Sequence, residues 1–427
     1  MPASTGRTRT CDDSDDSGDR DGRPLVAVAG AGAAGMAAAV AAARAGARVC
    51  LVERSPRIGG TVTRALIHTL GGLFDGRGEP INPGLPVELI DRLSVADPRV
   101  LRRALGRTWV LNVPPPTYRR IVQDWLAEMP RIDVRCGARI VRVAMARGSV
   151  CRLEGRGPAG RFRLFPDAVI DATGTAELVR RAAPELVEEG SMRAAGGLIF
   201  TLRNVAPGAL KFPKGIAAVR GLRQAAAQGE LPPECAHAWI DAGTRDDEVY
   251  VKLFVPLGVE WRTPAGRMAI RAAARRCRAA VVERLKRLPD FSTAEIERTG
   301  CVGVREGGRI RGEYRLTESD VRQGRRFPDA ACRCDWPIEY WHPRDGIQLE
   351  YLAEGTCYDI PLRSLKVAGT ENLWAAGKCL SADVRAQASA RCVGTCWAMG
   401  EAAGTAAARQ CESIELPRRE PYKRAAI

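Results

Sequence analysis

Leu25-Val26-Ala27-Val28-Ala29-Gly30-Ala31-Gly32-Ala33-Ala34-Gly35-Met36 leads through an alanine-rich run to Ala45 and then to Arg48-Val49-Cys50-Leu51-Val52-Glu53. The opening five residues are short and apolar throughout, as in a strand buried on both faces of a parallel sheet. The glycines after it fit G-x-G-x-x-G. Gly30 permits the tight turn out of the strand, Gly32 lets the backbone approach a pyrophosphate, and Gly35 lets the helix pack closely on the sheet. A helix opening here turns free N–H groups and its positive dipole end towards a diphosphate. Glu53 closes the next apolar run, 18 residues after Gly35, where a carboxylate accepts hydrogen bonds from ribose hydroxyls. Strand, turn, helix and strand make one βαβ unit of dinucleotide-binding type.

A second match, Gly155-Arg156-Gly157-Pro158-Ala159-Gly160, lacks that setting. No buried strand-to-helix switch surrounds it, and Pro158 with flanking arginines suits an exposed hairpin turn.

Outward from the first motif, residues 1–23 read as a disordered tail, with Cys11–Asp19 acidic and small. Helical patterns recur at Pro86–Leu93 and Tyr118–Met129, and alternating runs between Ile132 and Phe165 predict an antiparallel meander. Ala168-Val169-Ile170-Asp171-Ala172 returns to the central sheet. Farther on, Leu198–Leu202 and Val249–Val255 read as strands. Gly266–Leu288 reads as a long basic amphipathic helix, with Arg267, Arg271, Arg275 and Arg278 beside an apolar stripe of Ile270, Cys277, Val281 and Leu288. Asn372–Ala376 reads as a buried strand and Gly394–Arg409 as a helix.

The chain has 427 residues, which exceeds what one core usually supports, and no apolar stretch is long enough to span a bilayer. The N-terminus shows no secretory pattern, so a cytoplasmic location is expected. A net charge of +15 raises the question of a polyanion partner. Only seven of the cations are lysine, and the 58 arginines are spread along the whole chain. That bias fits a GC-rich genome better than a clustered nucleic-acid footprint. The 14 cysteines include no Cys-x-x-Cys, and the pairs Cys332/Cys334 and Cys392/Cys396 lack zinc-ribbon spacing, so no metal site is expected.

The residues just beyond Glu53 separate the candidate cofactors. Glu53-Arg54-Ser55-Pro56-Arg57-Ile58-Gly59-Gly60-Thr61 places a paired-glycine turn after the acid. Asp171-Ala172-Thr173-Gly174 resembles an "ATG" signature, and Asn372 to Cys379 with Arg391 to Gly404 resembles a C-terminal flavin motif. In these stretches the sequence resembles the FAD-dependent oxidoreductases built on the glutathione-reductase-type fold. A subgroup of that family is similar at Val304-Arg305-Glu306, Arg309–Thr317 and Asp335–His342. One departure is Gly394, where the family pattern leads one to expect proline.

The resemblance implies an α/β architecture. A Rossmann-like parallel-sheet FAD-binding domain with a β-meander takes 24–184 and 366–412. An α+β substrate or cap domain, 185–365, is inserted in sequence, and 413–427 is a tail. FAD is the implied cofactor. Its contacts fall on Gly30, Gly32, Ala33, Ala34, Gly35, Glu53, Arg54, Gly60, Thr61, Ile140, Thr173, Gly174, Gly377, Lys378, Gly394 and Thr395. The helix opening near Gly394 would aim its positive end at the pyrimidine edge of the flavin, which carries negative charge when reduced.

The lack of a second dinucleotide site and of a dithiol disfavours a disulfide reductase. Aromatic hydroxylases of the related fold carry Gly-Asp where this chain reads Gly377-Lys378. The expected reaction is therefore two-electron hydride chemistry on a small molecule by a dehydrogenase or oxidase. A flavin monooxygenase using NAD(P)H and O2 is the alternative, and a flavin-bearing nucleic-acid-modifying factor a distant third. Such chemistry needs a base, and the three histidines narrow the choice to His68 and His342, with His237 the poorest. Arg305 and Arg309 are candidates for holding a substrate carboxylate.

Overall fold

A computed structural model describes residues 22–190, 194–258 and 261–413. The two expected tails lie outside the described residues, apart from Gly22, Arg23 and Ser413.

The apolar run Leu25–Ala29 is the middle strand of a five-stranded sheet. Across the sheet lie Leu373–Ala375, Ala168–Asp171, Leu25–Ala29, Arg48–Glu53 and Ile132–Cys136, every neighbouring pair parallel. Alternation in the sequence assigns Ile132–Cys136 to the start of the meander. It pairs instead with Arg48–Glu53 at the sheet edge, because its register sets its apolar residues beside those of the second strand. The meander itself is the three strands Arg139–Ala146, Ser149–Gly157 and Gly160–Leu164. Gly157 pairs with Gly160 in its last hairpin, which places Pro158 and Ala159 at the turn.

The first helix, Ala33–Arg44, is buried along nearly its whole length. Its small side chains let the C-terminal helix, Val393–Ser413, cross it closely, with Gly400 set against Ala34 and Gly404 against Ala38. A side chain at either glycine would collide with helix backbone, so the contact depends on hydrogen atoms there. Trp125 stacks on Trp397 at 5.3 Å on the flank of this layer, and the indole N–H of Trp397 donates to Tyr118 at 3.0 Å.

A second, four-stranded antiparallel sheet runs in the order Trp239–Ala242, Val249–Val255, Gly196–Arg203, Glu295–Thr299. Its core draws Leu198, Phe200, Val251 and Leu253 from one sheet face, with Leu222 of the helix Lys214–Ala227 and Val281 of the helix Pro264–Lys286 packed on them. The basic helix buries Ala274, Cys277, Val281 and Leu285. Leu288, expected in that stripe, falls beyond the helix end and is exposed, because Leu285 one turn back already fills the position. Residues Leu316, Tyr358 and Ile360 pack into the first core. No described helix is long and apolar enough to cross a membrane.

Candidate functional site

The chain turns at Gly30 with φ of 100°, a region side chains rarely adopt, and a Cβ there would lie 2.5 Å from the Ala172 carbonyl oxygen. Gly32 caps the first helix with no side chain answering its free N–H groups. At Gly60, φ is 53° and a Cβ would lie 2.7 Å from the Cα of Gly32. Two glycine turns therefore meet backbone to backbone. Uncapped N–H groups at the positive end of a buried helix are the donors a diphosphate requires.

Glu53 sits beside the first of these turns and is buried. Its Oε2 accepts the Ala31 N–H at 2.8 Å and its Oε1 the Ser55 N–H at 2.7 Å. Each carboxylate oxygen keeps a further acceptor site for a sugar hydroxyl. Gly137 and Ala138 donate to the carbonyls of Ser55 and Glu53, both at 2.9 Å, which brings the meander and buried Ile140 against the acid. Arg54 and Thr61 stand at the rim with exposed side chains. The donor set and the bare backbone of these turns fit FAD.

At the strand end opposite, Asp171 is fully buried. It accepts from Thr173 N at 2.9 Å, Thr173 Oγ1 at 2.7 Å, Leu178 N at 2.8 Å and Val179 N at 3.0 Å. Burial pushes its pKa up, and these donors oppose that rise. Gly174 follows, and a Cβ on it would lie 2.8 Å from the Cε of Lys378. Lys378 Nζ donates to the Val304 carbonyl at 2.7 Å. Burial pushes its pKa down to about 8, with repulsion from Arg391 and Arg54 adding to the effect. Gly377 before it abuts Ala34 of the first helix, so that a Cβ on it would lie 3.0 Å from the Ala34 Cβ. The C-terminal motif thus closes on the first glycine turn.

Gly394 has a physical reason for departing from proline. Its N–H donates to the Gly71 carbonyl at 2.9 Å, and a Cβ on it would lie 2.5 Å from the carbonyl carbon of Gly72. Proline has neither the hydrogen nor the room. Thr395, fully buried, lies beside the same loop.

Residues directly opposite in an antiparallel pair share a face. Asp241 and Thr201 both oppose Tyr250, Trp239 and Ile199 oppose Lys252, and Gly197 opposes Phe254. This face turns away from the second core and meets the segment Leu66 to His68, since Leu66, Ile199 and Tyr250 pack together. His68 is fully buried and stacks on Tyr250 at 3.6 Å between ring centroids. Its Nε2 is 3.4 Å from Asp241 Oδ2, and neither ring nitrogen has a well-formed hydrogen bond. Burial lowers its pKa to about 4, with Asp241 opposing the shift. Asp241 also takes Arg103 at 2.8 Å and Lys252 at 3.2 Å. Burial raises the pKa of this carboxyl, but His68, Lys252 and Arg103 together hold it well below the usual range.

The other candidates lie elsewhere. His342 ends the strand Ile338–His342, and its Nδ1 faces Asp345 of its own hairpin at 2.9 Å. His237 leans on the same hairpin through the Arg344 carbonyl at 3.2 Å. Arg309 is buried and paired with Glu306 at 2.5 Å, while its Nε donates to the Ala382 carbonyl at 2.9 Å. That pairing occupies its charge. Arg305 is half-buried, lies 3.5 Å over the Trp341 ring, and donates to the Ala195 carbonyl at 2.7 Å. The structure ties Lys378 to Val304, next to Arg305, sets Gly394 against Gly71, keeps His68 under the second sheet, and leaves His342 to its turn.

Sequence reading passes over Asp241, Tyr250, Lys252 and Arg103, and names Arg391 only as the start of the C-terminal motif. A signal is present in Val249–Val255, whose alternation sets Tyr250, Lys252 and Phe254 on one face. Nothing local marks Arg103 among so many arginines.

The profile of a family described as FAD dependent oxidoreductase matches residues 26–423. No protein with a curated description matches the sequence. Among solved structures, a geranylgeranyl bacteriochlorophyll reductase-like protein of Thermoplasma acidophilum shares 14% identity over 92% of this chain and 79% of its own, with a TM-score of 0.48. A p-nitrophenol 4-monooxygenase of Pseudomonas putida shares 13% over 69% of this chain and 70% of its own, at 0.39. The anhydrotetracycline hydroxylase of Streptomyces rimosus shares 15% over 68% of this chain and 54% of its own, at 0.42. At such identities and scores these likenesses carry no information on the reaction.

Proposed function

This chain belongs to the FAD dependent oxidoreductase family, and on that premise we propose that it is a dehydrogenase or oxidase acting on a small molecule. When bound, FAD supplies a two-electron carrier that takes or gives a hydride. The single observation behind the reading is Lys378, set between the first glycine turn and the C-terminal helix with no carboxylate among the described residues paired to it. A fixed, partly desolvated cation there favours a cofactor that becomes more negative, which suits hydride uptake from substrate.

The glycine turns hold the diphosphate, and Glu53 orients the sugar. Tyr250 stacks on His68 and Lys252 pairs with Asp241, which keeps the buried imidazole away from water. His68, neutral above a pH of about 4, is the candidate to take a substrate proton at Nδ1, with Asp241 orienting the ring through Nε2.

Anaerobic absorbance spectroscopy of the purified yellow protein tests this, with amines, alcohols and hydroxy acids offered as donors. Bleaching by one of these classes is expected. Rapid bleaching by NADH or NADPH, followed by an oxygen-adduct spectrum on aeration, would replace the reading with a flavin monooxygenase.

A further inference from the structure

Three half-buried cations meet where the two sheets approach each other, and each spends a donor on a main-chain carbonyl. Arg305 donates to Ala195 O at 2.7 Å, Arg391 to Glu339 O at 2.7 Å, and Lys378 to Val304 O at 2.7 Å. None of them has a carboxylate partner among the described residues. The nearest acid, Glu339, is already engaged, with Oε1 accepting the Trp341 indole N–H at 2.6 Å and Oε2 that of Trp336 at 3.0 Å. Glu339 therefore joins Arg391, through its carbonyl, to the tryptophan on which Arg305 lies.

Desolvated charge without a partner is costly, and such groups are retained where an anion completes them. On the flavoenzyme reading the cofactor's diphosphate answers the glycine turns and its reducible ring answers Lys378, which lies against Gly174. Arg305 lies against the second sheet instead, where a Cβ on Gly197 would come within 2.9 Å of its Nη2. Phe254, opposite Gly197, stacks on Trp341 at 5.8 Å and continues the aromatic wall. A guanidinium laid flat on an indole presents its remaining donors edgewise, the geometry that pairs with a planar carboxylate.

We propose that Arg305 and Arg391, walled by Trp341 and Phe254, form the subsite for a carboxylate group of the substrate. This rests on the flavoenzyme reading and narrows its substrate class to carboxylic acids. Gly197 leaves the guanidinium its place, and Trp341 keeps it flat.

The holoenzyme titrated at constant ionic strength provides the test, with flavin absorbance and tryptophan fluorescence as readouts. Benzoate and succinate are the probes, and benzamide and succinamide their neutral counterparts. A saturable response to either acid, absent with its amide, is expected. Binding should weaken about tenfold or more in R305Q and in R391Q, with R305K retaining part of it. G197A, which crowds Nη2 without removing a charge, should weaken it as well, so the test survives if one arginine variant fails to fold. Equal responses to acids and amides would overturn the subsite. So would unchanged acid binding in the variants, or acid binding that vanishes when FAD is restored to the apoprotein. The wild type's FAD content is measured in the same samples. A colourless wild type that refuses FAD counts against the flavoenzyme reading, whereas full FAD without acid discrimination counts against the subsite alone.

Discussion

Nε2 of His68 lies 3.4 Å from Oδ2 of Asp241, where the loop before the strand Thr69–Leu70 passes beneath the second sheet. The ring is fully buried and stacked on Tyr250, while the carboxylate is shared with Arg103 and Lys252. This cluster joins elements of two separate cores through charge rather than apolar contact alone.

Acid should weaken the protein through His68. Its pKa is lowered from 6.5 to about 4 in the fold, so the unfolded chain binds the proton more readily. The stability is present above a pH of about 6.5 and is lost as pH falls towards 4, up to about 3 kcal/mol. Melting temperatures at pH 7.5 and 5 should differ less in H68Q than in the wild type. Equal differences would remove His68 as the source.

The two glycine turns should be separable by mutation. Gly60→Ala sets a Cβ 2.7 Å from the Gly32 Cα at a positive φ, so it should lower FAD affinity by about tenfold or more. Far-UV circular dichroism should be preserved, because the clash is confined to the contact between the turns. FAD release followed by fluorescence measures the loss.

Glu53→Gln replaces an acceptor of two backbone N–H groups, at 2.8 and 2.7 Å, with an amide that keeps only one. The buried donor left over should lower the melting temperature, and the weaker sugar contact should cost about 1 kcal/mol or more in FAD binding. Isothermal titration of the apoprotein would read it, and an unchanged Kd would exclude Glu53 from the cofactor site.

Arg309 and Arg305 should behave differently. Arg309→Ala leaves Glu306 buried without its partner, a loss of about 3–5 kcal/mol visible in thermal melting. Arg305 has no ion-pair partner to strand, so R305Q should melt close to the wild type. Similar losses in both would make Arg305 a structural cation.

Gly394→Pro restores the residue the family pattern leads one to expect, and should nonetheless harm this chain. It removes the N–H given to Gly71 at 2.9 Å and pushes a side chain into Gly72. A lower melting temperature and a shifted flavin spectrum are expected, because the loop and the helix start move together.

Much of the first sheet is legible in the chain itself. Leu25–Ala29, Arg48–Glu53 and Ala168–Asp171 are short apolar runs with sharp boundaries, and the glycines between the first two carry their own backbone requirements. Ile132–Cys136 misleads because a half-polar strand at a sheet edge alternates as a meander strand does. Leu288 continues the pattern of a helix that ends before it, since helix ends are weakly encoded.

What the sequence determined by itself is the dinucleotide turn, its acid, and the order of the later motifs, because each depends on neighbours a few residues away. Only the tertiary structure decided that Arg103 meets Asp241, 138 residues distant, that Gly72 fills the space beside Gly394, and that Arg305 lies on Trp341 while Arg309 is taken by Glu306. Those pairings are set by the packing of one sheet against another. Side-chain periodicity tells which face a residue occupies, and it carries no information about what that face will meet.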